Sequence, residues 1–139
     1  MDPLDTRDPM SSNNENCYIT YIFQRFLNFE YVNLNGFPYI DRDVGGSAIG
    51  LRDNIGALLD LIDDETKIIP GHGPLATKAD LKSFYSIVSE SISVVQAFKE
   101  QGKSLEEIQQ AGLPKKFEGV VGFMPAGLWI QFVFDSLND

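Results

Sequence analysis

The sequence predicts an α/β (α+β) fold in which a small sheet packs with about four helices. Aromatic and β-branched runs near the N-terminus favour strands, whereas apolar stripes at helical spacing, each preceded by a capping residue, fill the rest. The chain has 139 residues and a hydrophobic fraction of 43%, which suit one domain with one core. We therefore interpret residues 17–139 as a single domain.

Residues 1–16 read as a polar and flexible leader. They carry two prolines, several aspartates and the run Ser-Ser-Asn-Asn, so they have little capacity for burial. Met10 is a second candidate start, and the sequence leaves open whether residues 1–9 are native. A basic n-region and an apolar h-region are both missing, so we expect no signal peptide and a cytoplasmic location.

Strands are expected first along the domain. Residues 18–23 and 29–34 are rich in Tyr, Ile, Phe and Val, and the second run alternates between two faces. For residues 18–23 the sequence leaves a helix open as the alternative to a strand. Residues 35–38 then break the pattern with Asn-Gly and Phe-Pro and predict a turn.

Helices dominate the remainder. Ser47 is the expected N-cap of a helix that Asp63 and Asp64 end. Thr77 is the expected N-cap of the longest helix, with Asp80 as a weak capping box, and this helix stops at Gly102. The apolar stripe of the longest helix comprises Leu81, Phe84, Tyr85, Val88, Ile92, Val95 and Phe98. Residues 104–107 form a capping box that begins a short helix closed by Gly112, and a last helix runs from about residue 125 to 137. Its expected packed face comprises Leu128, Trp129, Phe132, Val133 and Leu137.

Charge and cysteine content exclude several classes of function. The net charge of -9 would repel a phosphate backbone or an anionic membrane, so we expect neither a nucleic-acid nor a membrane partner. The one cysteine, Cys17, allows no intramolecular disulfide and no thiolate metal cluster, and it is interpreted as a small buried hydrophobe.

The sharpest local feature is the turn Pro-Gly-His-Gly-Pro at residues 70–74, which lies between a short apolar run with β character at residues 66–69 and the longest helix. Two glycines allow a tight turn and the prolines stiffen it. The imidazole of His72 is thereby held at a fixed point, which suits a metal ligand or a general base.

Residues 66–75, Thr-Lys-Ile-Ile-Pro-Gly-His-Gly-Pro-Leu, resemble the late IPGHGP segment of metallo-β-lactamase-fold hydrolases. Residues 35–41 and 45–47 are similar to the stretch before the penultimate helix of that family, and the segments after Ser104 resemble its C-terminal helices. The resemblance covers roughly residues 33 to 137. It implies a partial, truncated metallo-β-lactamase-like layer, and it implies that His72 corresponds to a ligand of the second metal.

The chain departs from that family at the other metal ligands. Members begin with an HxHxDH signature, add a further histidine and carry a Gly-Asp pair whose aspartate bridges the metals. This chain has one histidine, and the position of the pair falls near Glu30 and Tyr31. Since a zinc site needs three or four ligands, we expect no bound cofactor and interpret His72 as a vestigial ligand, with zinc as the alternative.

Other polar and aromatic groups have simple structural interpretations. Asp41 and Asp43 suit turns better than catalysis, and Glu106 and Glu107 suit the first turn of a helix. Trp129 with Phe132 and Phe134 is more typical of a core than of a ligand pocket. No catalytic residue is therefore predicted.

Two functional hypotheses remain open. In the first, the chain is a non-catalytic remnant of such a hydrolase with a binding or structural role, in which residues 17–34 replace the lost half of the fold. In the second, it is a metal-dependent hydrolase whose missing ligands come from a partner polypeptide. Half of a two-sheet sandwich leaves an apolar face, so a homodimer is expected. The expected contacts are Tyr18, Tyr21, Phe23 and Phe29.

Overall fold

A computed structural model describes residues 34–120, 122 and 124–138 of the chain. Within this part the fold is mixed α+β and mostly helical. Its elements, in chain order, are α1 (Ala48–Leu61), β1 (Lys67–Ile68), β2 (Ala76–Thr77), α2 (Lys78–Glu100), α3 (Leu105–Ala111), a 3₁₀ turn (Lys115–Phe117) and α4 (Ala126–Ser136). The predicted strand at 18–23, and that at 29–34 except for Leu34, lie outside the described residues, as do the leader and Cys17.

The first helix begins where the sequence predicts. The Ser47 hydroxyl accepts a hydrogen bond from the amide of Gly50, which satisfies one of the free donors of the first turn. A second contact comes from the far end of the chain, because the amide of Ala48 donates to Ser136 Oγ at 2.9 Å. Ser136 therefore fixes the start of α1 against the end of α4.

The two strands form a small antiparallel hairpin. Lys67 pairs with Thr77 and Ile68 with Ala76, and residues 69–75 form the loop between them. The sequence predicted only β1, followed by a turn and then the long helix. The prediction missed β2 because a two-residue strand carries no alternation of its own and depends on its partner. Thr77 ends β2 and also caps α2.

Both predicted capping boxes are confirmed. Thr77 and Asp80 exchange reciprocal hydrogen bonds at the start of α2, and Ser104 and Glu107 do the same at the start of α3. Gly112 ends α3 with φ +69, a left-handed conformation that favours glycine. These local signals explain why the predicted helix starts agree with the structure.

The core lies where α1, α2 and α4 pack together, and Trp129 is at its centre. The indole is fully buried, stacks on Phe37 at 5.6 Å between ring centroids and donates from Nε1 to Ser91 Oγ at 2.8 Å. Ser91 in turn donates to the carbonyl of Val88. The predicted face of α4 is wrong at Leu128, whose side chain is 37% exposed, and it omitted Ile130, which is buried.

Two glycines join the segment before α1 to the segment before α4. A Cβ atom at Gly122 would lie 2.8 Å from the Cα of Gly36. Only glycine allows this approach of two backbones. The contact holds residues 34–37 against the helical core and thereby sets the position of Leu34 and Asn35 beside the hairpin.

Candidate functional site

The candidate site is the loop of the β1–β2 hairpin. Pro70 is buried, whereas His72 and its two neighbouring glycines are exposed at the tip. Gly73 has φ +107 and turns the chain back toward β2; Gly71 has no positive φ. The hairpin thus places His72 in an exposed loop, and of its two neighbouring glycines only Gly73 uses the conformational freedom of glycine.

A pocket of about 160 Å³ lies beside His72. Its lining comes from the hairpin loop, from the start of α2 and from the segment before α1. The lining residues are Leu34, Asn35, Pro70, His72, Pro74, Leu75, Ala76 and Asp80. Small-molecule clefts usually enclose about 300–1,000 Å³, so this pocket fits a few waters or a small ion rather than an organic substrate.

Asp80 is the only carboxylate among the described residues that line this pocket, and its Oδ2 atom already accepts two hydrogen bonds. Oδ2 accepts hydrogen bonds from the amide and the hydroxyl of Thr77, both at 2.8 Å. These bonds favour the ionised form, and the backbone bond is the larger cause of a pKa that lies below the usual value for aspartate. The carboxylate therefore completes the cap of α2, and a metal ion would have to compete with Thr77 for it.

Asp41 and Asp43 have turn roles, as the sequence predicts. The Asp41 carbonyl accepts from the amide of Gly46, and its side chain accepts from the amide of Asp43 at 3.1 Å. Gly45 has φ +81, and a Cβ at Gly46 would lie 2.4 Å from the Asp41 carbonyl oxygen. This tight turn leads into α1, and neither carboxylate lines the His72 pocket.

The aromatic group at the C-terminus belongs to the core. Trp129 and Phe132 are buried, and Phe134 is half-buried under the ammonium group of Lys99. Glu106 and Glu107 lie in the first turn of α3, as expected. The pKa of Glu106 is lowered mainly by the hydrogen bond from its own amide and then by the hydrogen bond from the Ser104 hydroxyl.

The described residues do not fit a zinc ion. No group of three or more His, Cys, Asp and Glu side chains in residues 34–120, 122 and 124–138 is arranged to hold a metal. His72 and Asp80 are the two candidate ligands in the pocket, and Asp80 already accepts two hydrogen bonds. Tetrahedral zinc sites require at least three protein ligands, so no catalytic step through a metal follows from this part of the chain.

Sequence reasoning missed two members of the pocket. Asn35 was interpreted as a turn residue and Asp80 as a helix cap, and both are also pocket residues. They are 45 positions apart in sequence, so no local pattern brings them together.

None of the helices within the described part of the chain is both long and apolar enough to cross a membrane.

Comparison of the chain with protein-family models, with curated proteins and with solved structures found no match. The fold and the His72 pocket are therefore the basis for the functional argument.

Proposed function

We propose that this chain is a truncated, C-terminal metallo-β-lactamase-like domain that has lost the catalytic metal centre and has a binding or structural role. One observation carries the proposal: among the described residues, the pocket beside His72 is lined by a single carboxylate, Asp80, and that carboxylate caps a helix. A histidine that once bound a metal would now be a loop residue. The physiological partner is either a second copy of the chain or another polypeptide.

The hairpin geometry supports the relationship to that family. The segment that resembles the IPGHGP motif lies in the hairpin loop at residues 69–75, with His72 at its middle, and the long capped helix begins directly after β2. The segment at 35–47, the second part of the resemblance, lies against the same loop through Asn35. Residues from two of the segments that carry the resemblance, 66–75 and 35–41, therefore line one pocket.

The first test is the zinc content of the purified 139-residue protein. We expect less than one equivalent of zinc after dialysis against a mild chelator, because one imidazole with scattered carboxylates is too few ligands for tight binding. Elemental analysis measures it. The variants are His72→Ala and, as a matched control, Asp43→Asn, which changes an exposed turn residue away from the pocket.

Stoichiometric zinc that survives dialysis in the wild type and in Asp43→Asn, but not in His72→Ala, would overturn the proposal. Such a result would place a metal centre at the loop, with further ligands from outside the described residues.

A second candidate function is a metal-dependent hydrolase that is completed by another polypeptide. The exposure of His72 at a loop tip favours it, since a ligand from a partner could approach from solvent. A second copy of this chain would not supply the missing HxHxDH motif, because each copy has one histidine. A different polypeptide with that motif is therefore required.

The two candidates predict different activities once a partner polypeptide is present. With zinc added, both predict that the isolated chain hydrolyses a β-lactam, a thioester and a phosphodiester no faster than buffer, because no metal-bound hydroxide would supply the nucleophile. Initial rates with chromogenic substrates measure this, first for the isolated chain and then with any polypeptide that co-purifies with it. Zinc-dependent turnover that requires the co-purified polypeptide and disappears in His72→Ala would favour the hydrolase.

A further inference from the structure

A second cavity lies away from His72, in the groove between α1 and α2. It is an open groove with a volume of about 530 Å³, within the range of about 300–1,000 Å³ that is usual for small-molecule clefts. Its lining residues are Gly56, Leu59, Asp60, Lys78, Lys82, Tyr85 and Ser86. Nothing in the proposed function uses this groove.

One wall of the groove is cationic. Lys78 and Lys82 are one helical turn apart on α2, so their side chains project on the same side. Lys78 Nζ donates to the carbonyl of Ile62 at 2.7 Å, which fixes its position and leaves two further N–H donors. The side-chain ion pairs within the described part of the chain are Arg52–Asp53 and Lys116–Glu90, so the charge of Lys82 is not neutralised by a neighbouring carboxylate there.

The lining of the groove is about half apolar, and its apolar part includes Tyr85, Leu59 and Gly56. Gly56 has no side chain, and a Cβ there would lie 3.3 Å from Cε2 of Tyr85 and 3.5 Å from its hydroxyl oxygen. The ring of Tyr85 therefore lies directly on the backbone of α1 at Gly56. Together with Leu59, the ring provides a surface against which a planar apolar group can pack.

Charge and shape together define a ligand. Two ammonium groups on one wall favour an oxyanion, and the aromatic floor beside them favours a flat apolar body. Asp60 on the opposite wall disfavours a second anionic group at that end. The whole chain has a net charge of -9, so the positive charge of this wall is opposite in sign to the charge of the chain.

We propose that the α1–α2 groove binds a small organic carboxylate, with the carboxylate on Lys78 and Lys82 and the apolar body on Tyr85 and Leu59. The site is independent of the His72 loop. It therefore stands whether or not the chain binds zinc.

The test is a titration of the full 139-residue protein with benzoate, followed by amide shifts in two-dimensional ¹H–¹⁵N NMR spectra. We expect saturable shifts at residues 56–60 and 78–86. Lys82→Gln should weaken binding roughly three- to tenfold, since an exposed charge-assisted hydrogen bond contributes modestly. Lys115→Gln, which removes the same charge from an exposed position in the 3₁₀ turn, should leave the affinity unchanged.

Gly56→Ala gives a second, independent variant. Alanine is a better helix former than glycine, so the fold should be retained, while the added methyl displaces Tyr85 and weakens benzoate binding. Inorganic phosphate should bind more weakly than benzoate, because it has no apolar body to place on Tyr85. Shifts that stay linear with benzoate concentration, equal affinity in Lys82→Gln and wild type, or phosphate binding as tight as that of benzoate would each overturn the proposal.

Discussion

Trp129→Ala should destabilise the domain by about 3–5 kcal/mol, the usual range for truncation of a large buried aromatic side chain. The indole is fully buried and stacks on Phe37, so its removal leaves a cavity between α4 and the segment before α1. The substitution also removes the indole Nε1–H group, which donates a hydrogen bond to Ser91 Oγ at 2.8 Å. The free energy of unfolding of a typical domain is about 5–15 kcal/mol, so this loss is a large fraction of the total stability.

Urea denaturation followed by far-UV circular dichroism measures the change, because the variant lacks the single tryptophan and its fluorescence. Leu128→Ala is the matched control. Leu128 precedes Trp129 in the same helix but is 37% exposed, so its truncation should cost well under half as much. Similar losses in the two variants would contradict the described packing of α4.

Trp129→Phe separates packing from hydrogen bonding. Phenylalanine keeps most of the ring contact with Phe37 but donates no hydrogen bond to Ser91. An unsatisfied buried hydroxyl costs about 1–3 kcal/mol, although Ser91 keeps its bond to the carbonyl of Val88. We therefore expect the phenylalanine variant to be intermediate in stability between wild type and Trp129→Ala.

The helices could be predicted from sequence because their signals are local. Ser47, Thr77 and Ser104 each precede an apolar stripe, and each caps the helix that follows it. Spacing along a helix decides which residues share a face, so Leu81, Phe84 and Val88 were assigned to the core correctly. The prediction failed at Leu128 because the rotation of a short helix depends on its neighbours.

Contacts between distant residues were not accessible in this way. The bond from Ala48 to Ser136 joins positions 88 apart, and β2 exists only through its pairing with β1. The sequence singled out His72 and its exposed loop, but the pocket beside it depends on Asn35 and Asp80. The groove at Lys78 and Lys82 has a local signal, the spacing of two lysines by one helical turn, but that spacing is common on solvated helix faces.

Self-association through the hairpin should double the mass of the protein in solution. The last residue pair of the hairpin is Ile68 with Ala76. Ile69 directly follows Ile68 and is 46% exposed, and Leu75 directly precedes Ala76 and is 63% exposed. A two-stranded hairpin is marginal alone and exposes strand edges. We propose that a second copy covers this apolar surface in a closed two-fold pair, the commonest arrangement of soluble oligomers.

Light scattering at micromolar concentration should therefore report a mass near twice 15.5 kDa. The measurement should be made in about 150 mM salt, because the Debye length is then about 8 Å and the repulsion between two acidic copies is screened. The double variant Ile69→Asp with Leu75→Asp should return the mass to that of one chain. Val44→Asp changes a residue that is 68% exposed in the turn before α1, outside the hairpin, and should leave the pair intact.

A wild-type monomer that binds no hydrophobic dye would contradict the pairing, because residues 17–33 of the same chain would then be the cover. Dye binding distinguishes a monomer whose apolar face is covered within the chain from a monomer that results from weak dimerisation. A monomer with an open apolar face binds dye, whereas a face covered within the chain does not. In the paired protein, the double aspartate variant should become monomeric without gaining dye fluorescence, because the introduced charges also make the face polar.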